Sequence, residues 1–183
     1  VRDFGIASSR KFIYDAMAVK IGNKTVMAES VYPKEANPLW GETSTLTVAH
    51  TLKSYSSHTF DYPYPKAVSV SAEDQGMEYP MICWNFGRPD ENGVTTKEVK
   101  NGMIGVIIHE VGHTFFPMIV NSDERQWTWM DEGLNTYFQF RYEAGKYRGN
   151  SVFGESLPKE LKQMPADEFL SVIYNAIDKS LPM

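Results

Sequence analysis

The feature that most constrains this chain is the pentad HEVGH at residues His109 to His113, which follows the apolar run Met103 to Ile108. The run is apolar enough for a buried helix, where two histidines and a glutamate are costly without partners. On a helix, side chains four residues apart lie on one face, so both imidazoles can converge on one cation. Glu110 is rotated by about 100° from His109, within reach of a water on that cation. The pentad therefore predicts a metal site with its own general base.

A later segment offers a third ligand. Glu132 follows His113 after eighteen intervening residues, within the run Trp129 to Gly133. It lies near the start of a helix-like stretch, so its carboxylate reaches the pentad if the two helices pack together. A catalytic zinc ion takes three protein ligands and keeps a fourth position for water. We therefore predict one Zn²⁺ per chain, held by His109, His113 and Glu132.

Composition and charge exclude several classes of protein and of binding site. The 183 residues suffice for one sizeable core, or for one domain and part of another. A net charge of −5 without a polybasic run gives no electrostatic footprint for nucleic acid. No apolar run reaches about 18 residues, so no membrane span is expected in this segment. Cys83 is the only cysteine, which excludes an internal disulfide and a cysteine-based zinc cluster but does not indicate the compartment.

Sheet-forming patterns dominate the first half of the chain. Loose alternation from Lys11 to Ser30, interrupted by Gly22-Asn23, predicts a β-hairpin. Two further strands are predicted over Lys66–Ser71 and Met81–Phe86. With strands early and helices later, the expected class is α+β.

Helical spacing predicts three helices besides the one that carries the pentad. They cover Leu39–Tyr55, Asp131–Glu143 with Gly145 closing it, and Asp167–Ser180. In the first of them, Leu46, Ala49, Leu52 and Lys53 recur on one face. The pentad helix is expected to open at Thr95, which forms a capping box with Glu98, although Thr96 competes for that position.

Together these motifs resemble the gluzincin metallopeptidases of the aminopeptidase N and leukotriene-hydrolase family. The first match is HExxH, eighteen residues and then Glu in a W-x-x-E-G context. The second is QGMEYP at Gln75 to Pro80, which looks like the family's G-x-M-E-N signature and falls between two predicted strands. The resemblance covers Ala28 to Glu143. It implies a thermolysin-like zincin fold, with a small mixed β-sheet lobe followed by helices that carry the pentad and the glutamate ligand.

The resemblance also implies a role for each matching residue beyond the three ligands. Glu110 would take a proton from the attacking water and pass one to the departing amine. Glu78 would pair with the α-ammonium of a peptide that has a free N-terminus. The backbone at Gly76 and Met77 would run alongside that peptide. Tyr79 stands where the signature has asparagine, which leaves the acidic anchor intact.

The comparison with this family further predicts how the chain is divided. Residues 1–30 resemble the tail of a preceding β domain, and residues 31–183 resemble a catalytic domain whose helical lobe is truncated. In the family a tyrosine from a later helical segment stabilises the oxyanion, whereas Tyr174 here lacks that context and is expected to be structural. We therefore expect a zinc aminopeptidase fragment, weakly active or inactive alone, whose partners include the remaining domains of a longer parent protein.

Two alternatives remain open. A zinc endopeptidase would use the same ligands but would have no use for Glu78 as an amine anchor. A peptide-binding module that keeps the fold without catalysis is the non-enzymatic alternative. Epoxide chemistry of the leukotriene-hydrolase kind is possible on the same site, and nothing in the sequence favours it.

Overall fold

A computed structural model describes residues 3–73 and 76–147, with side chains as far as residue 143. The predicted helix Asp167–Ser180 and Tyr174 lie outside the described residues, as does Gln75 of the second motif. Among the helices that are described, none combines the length and the apolar character needed to cross a membrane.

Within the described residues, five strands form one mixed sheet. They are β1 (Phe12–Ile21), β2 (Lys24–Pro33), β3 (Lys66–Ser71), β4 (Met77–Tyr79) and β5 (Ile82–Asn85). Their order across the sheet is β1-β2-β3-β5-β4, so β4 forms an edge. The β1–β2 and β4–β5 pairs are antiparallel, whereas β2–β3 and β3–β5 are parallel. The strands predicted from alternation are confirmed, and the second motif supplies the edge strand.

The predicted hairpin is formed by β1 and β2. Ile21 pairs with Lys24, and Gly22 between them adopts a φ of 53°, a left-handed conformation that glycine reaches without a steric penalty. The predicted domain boundary at residue 30 falls inside β2, and strands on both sides of it hydrogen-bond into the one sheet. The assignment of residues 1–30 to a preceding domain stays a prediction.

In the part of the chain that the structure describes, three α-helices pack on the sheet or on one another. They are α1 (Leu39–His58), α2 (Lys97–Gly112) and α3 (Leu134–Tyr147), and a π-helical turn over Trp129–Gly133 leads into α3. Thr96 caps α2 by accepting from the Val99 N–H at 3.3 Å, so the competing cap residue is the one used. Gly145 does not close α3, because a glycine inside a helix costs only about 1 kcal/mol.

The predicted buried face of α1 was partly wrong. Leu46 is 44% exposed, whereas Trp40, Leu52 and Tyr55 are fully buried. The helix lies between β2 and β3 in the chain and packs against the sheet and α2. Its buried face also contains several threonines and serines, which obscure the apolar period in the sequence.

An aromatic cluster joins the helices where the pentad ends. The Tyr55 ring of α1 lies 5.3 Å from that of Phe115 and 5.7 Å from that of Phe138 on α3. Phe116 stacks on Phe138 at 5.4 Å. Each large side chain buried in this way stabilises the fold by about 1.5–3 kcal/mol. The cluster fixes α3 against the end of α2, and the observed architecture is the predicted α+β arrangement of a small mixed sheet followed by helices.

Candidate metal centre

The three predicted ligands converge on one point. The Nε2 atoms of His109 and His113 are 3.0 Å apart, and Glu132 Oε2 lies 3.0 Å from the first and 3.5 Å from the second. Donor atoms about 2.0–2.1 Å from one tetrahedral ion are about 3.3 Å apart. The observed triangle therefore has the size of one face of a zinc coordination tetrahedron.

The hydrogen bonds of the two Nδ1 atoms show that the Nε2 atoms can face an ion. His109 Nδ1 lies 3.0 Å from Gln139 Oε1, and His113 Nδ1 lies 2.8 Å from the Phe116 carbonyl oxygen. Both partners are acceptors, so each Nδ1 carries the hydrogen, and each neutral imidazole presents its Nε2 lone pair. When both rings are neutral, their Nε2 electron pairs and that of the Glu132 oxygen point at one another, so a metal ion or a proton at this point is stabilised. The donor set fits zinc.

Two helices reach this geometry because α2 allows close approach at Gly112. A Cβ at Gly112 would overlap Asn135 Oδ1 and the Tyr55 hydroxyl oxygen. The Tyr55 hydroxyl donates to Asn135 Oδ1 at 2.8 Å, and Asn135 Nδ2 donates to the His109 carbonyl oxygen at 2.8 Å. Asn135 therefore connects α1, α2 and α3 directly behind the imidazoles.

Glu110 lies beside the ligands and is 6% exposed. Its Oε2 is buried without a hydrogen-bond partner among the described residues. A Cβ on Gly76 would overlap Glu110 Oε1, so glycine at this position lets the edge segment approach the carboxylate. Burial raises the pKa of Glu110 to about 7, while the two neighbouring imidazoles act in the opposite direction.

The second motif reaches the same site from the sheet edge. Ligand atoms of Glu78, Glu110 and His113 lie within 4.8 Å of one another. Glu78 is half-buried on β4, and Met77, which precedes it, is 41% exposed. The structure thus brings every predicted site residue to one location, with Gly76 and Met77 along its edge.

The ionisable side chains of the site shift one another's pKa values. Burial opposes a charged imidazolium at His113, but the hydrogen bond to Glu132 and the charges of Glu78 and Glu132 outweigh it and raise the pKa of His113 to about 9. Hydrogen bonds from both imidazoles hold the pKa of the Glu132 carboxyl far below its usual range. The centre therefore favours a positive charge between its donors.

Two further buried side chains of the site, Gln139 and Glu143, were not predicted from the sequence. Gln139 Nε2 donates to Glu143 Oε1 at 3.0 Å, while its Oε1 faces His109. Both side chains are buried, at 3% and 1% exposure. Residues seven and eleven positions after Glu132 lie on nearly the same face of an α-helix, but this spacing alone does not show which of them contacts His109.

Comparison with known proteins supports the fold. No protein-family model matches the sequence, and no curated protein matches it. An M1 zinc metallopeptidase mutant from Deinococcus radiodurans is 14% identical with a TM-score of 0.57, over 94% of this chain and 46% of that chain. A second structure, of an M1 zinc metallopeptidase from the same organism, is 17% identical with a TM-score of 0.55, over 75% of this chain and 29% of that chain.

A third similar structure is a two-domain M1 zinc metallopeptidase mutant bound to L-arginine. It is 19% identical with a TM-score of 0.56, over 77% of this chain and 30% of that chain. This chain therefore spans less than half the length of each of these three structures. At these identities the likeness concerns the fold, and the chain has the fold of part of an M1 zinc metallopeptidase.

Proposed function

We propose that this chain carries the catalytic centre of a zinc-dependent aminopeptidase that acts on peptides with a free N-terminus. The observation that carries the proposal is the convergence of His109, His113 and Glu132 within 3.0–3.5 Å of one another. The buried carboxylate of Glu110 stands next to that triangle. Since the similar structures are longer, we also propose that the chain works as part of a larger protein.

The residues divide the chemistry between them. The two histidines and Glu132 would hold zinc, which supplies Lewis-acid activation of water near neutral pH. Glu110 accepts a proton from the attacking water and donates one to the departing amine. Burial raises the pKa of Glu110 and so favours the protonated form that the second transfer needs.

Selectivity for a free N-terminus is proposed to come from the sheet edge. An α-ammonium placed between Glu78 and the metal centre would satisfy a half-buried carboxylate that already lies close to Glu110. The exposed edge of β4 offers backbone groups to an extended peptide. An endopeptidase with the same ligands would not need this acidic group.

The test uses one short peptide in two forms, with a free and with an acetylated N-terminus. Binding of each form to the zinc-loaded Glu110→Gln chain is measured by calorimetry, which does not depend on turnover. We expect the free form to bind at least about tenfold more tightly, since a charge-assisted contact contributes about 1.5–3 kcal/mol. The preference should disappear in a Glu78→Gln variant of the same chain.

Equal binding of the two forms would favour the endopeptidase alternative. Binding without any hydrolysis by the unaltered chain, even within the longer protein, would favour the non-catalytic peptide-binding module. A chain that does not take up zinc would contradict both the aminopeptidase and the endopeptidase hypothesis.

A further inference from the structure

Behind the metal centre, a chain of two buried side chains leads away from His109. Gln139 accepts from His109 Nδ1 at 3.0 Å through its Oε1 and donates to Glu143 Oε1 at 3.0 Å through its Nε2. Gln139 and Glu143 lie four residues apart on α3, on one face of the helix. We name this arrangement the Glu143 relay.

Glu143 determines which way the side-chain amide of Gln139 is oriented. A carboxylate only accepts hydrogen bonds, whereas an amide both donates and accepts and can be reversed. Because Glu143 requires a donor, the amide nitrogen of Gln139 turns toward it, and the amide oxygen turns toward His109. That oxygen requires a hydrogen on Nδ1, so the lone pair of His109 is placed on Nε2, the atom that faces His113 and Glu132.

Resting on the proposed zinc site, we propose that Glu143 is a positioning residue that fixes the tautomer of His109 through Gln139 and thereby sets the affinity for zinc. Both relay members are at least nine-tenths buried, so water does not readily replace a lost partner. The second imidazole has no such dependence on a side chain, because its Nδ1 donates to the Phe116 carbonyl. His109 is therefore the ligand whose orientation depends on side chains that can be altered.

The relay makes a prediction that packing alone does not make. In Glu143→Gln the side chains at 139 and 143 are both amides, and either one can donate the hydrogen bond to the other. If residue 143 donates, the Gln139 amide is reversed and its N–H points at His109 Nδ1. The double variant Gln139→Glu with Glu143→Gln exchanges the two side chains. Its hydrogen bonds again have only one possible direction. The carboxylate then accepts from both His109 and the new amide. Glutamine and glutamate have nearly the same volume, so packing is conserved in all three proteins.

The experiment measures the zinc dissociation constant of this chain by competition with a chromogenic chelator. We expect Glu143→Gln to bind zinc about 10–100-fold more weakly than the unaltered chain, and the double variant to recover most of that loss. Melting temperatures of the metal-free proteins serve as the folding control. Equal zinc affinity in Glu143→Gln, or a double variant as weak as the single one, would overturn the relay.

A second measurement needs no variant. In the zinc-loaded unaltered chain, nitrogen-15 NMR of the histidine rings should show His109 with a hydrogen on Nδ1 that exchanges slowly with water. A His109 bound to zinc through Nδ1, or one with a rapidly exchanging Nδ1 hydrogen, would contradict the relay. A chain that binds no zinc would contradict the proposed zinc site itself. Failure of the zinc site is therefore distinguishable from failure of the Glu143 relay.

Discussion

At the scale of single residues, the centre is defined by what each side chain can donate or accept. The pentad and the spacing to Glu132 were sufficient to predict that His109, His113 and Glu132 converge, because two imidazoles a helical turn apart and one later carboxylate have few other uses in an apolar setting. The residues that hydrogen-bond to the two imidazole rings were not predictable in the same way. Whether Asn135 or Gln139 contacts the His109 ring depends on how α2 and α3 cross, which the sequence does not specify.

Removing the proposed base should separate metal binding from catalysis. Glu110→Gln keeps the shape of the side chain and does not alter a ligand, so zinc content should stay at one ion per chain. Any hydrolysis by the chain, or by a longer protein that contains it, should fall by about 100-fold or more. Metal analysis and a peptide-cleavage assay on the same preparations check this. Normal hydrolysis by the variant would show that another group acts as the base.

Zinc affinity should depend on pH through His113. Its pKa is raised to about 9 in the folded chain, so the proton competes with zinc at every pH below that value. Affinity should therefore rise with pH, by about tenfold per unit while this proton is being displaced, and level off above about pH 9. Chelator competition across this range checks the slope. An affinity that is independent of pH between 6.5 and 9 would contradict the assignment of His113 as a ligand.

At the scale of secondary structure, α2 owes its position to close contacts that small residues permit. Gly112 faces the Tyr55 hydroxyl and Asn135, and a side chain there would separate α2 from both neighbouring helices. A Cβ added at Gly102, ten residues earlier in the same helix, would meet only Phe86, at an ordinary distance of 3.7 Å. The sequence predicted that α2 is a helix, but it did not indicate which of its glycines was required by packing.

The two glycines give a matched pair of substitutions. Gly102→Ala should raise the free energy of unfolding by about 0.5–1 kcal/mol, because alanine is the better helix former and the space is open. Gly112→Ala should lower it by about 1–3 kcal/mol, because the added methyl group overlaps neighbouring polar atoms. Urea unfolding of the metal-free variants measures both. Equal effects would mean that the contact of α1 and α3 with Gly112 is looser than described.

At the scale of the whole molecule, the candidate metal centre brings together parts that are distant in the chain. The sheet contributes Glu78 from its edge, α2 and the residue that caps it contribute His109 and His113, and the π-helical turn before α3 contributes Glu132. Alternation and turn residues were sufficient to predict the strands and the hairpin. The strand order was not predictable, because the pairing of β3 with β5 and the edge place of β4 depend on long-range contacts.

Because zinc would connect α2 to the segment that begins α3, metal should stabilise the whole described fold. At a free zinc concentration about 100-fold above the dissociation constant, the gain is about 2.7 kcal/mol. The melting temperature should therefore rise when zinc is added and fall when a chelator removes it. In Glu132→Gln the same addition should give a much smaller rise. An equal rise in that variant would indicate that zinc binds elsewhere.

The most direct test of the central claim is a crystal structure of the zinc-loaded chain with anomalous diffraction data collected at the zinc absorption edge. We predict one anomalous peak, about 2.0–2.2 Å from His109 Nε2, His113 Nε2 and a Glu132 carboxylate oxygen. A peak at any other group of residues, or the absence of a peak at this site in the presence of saturating zinc, would contradict the account.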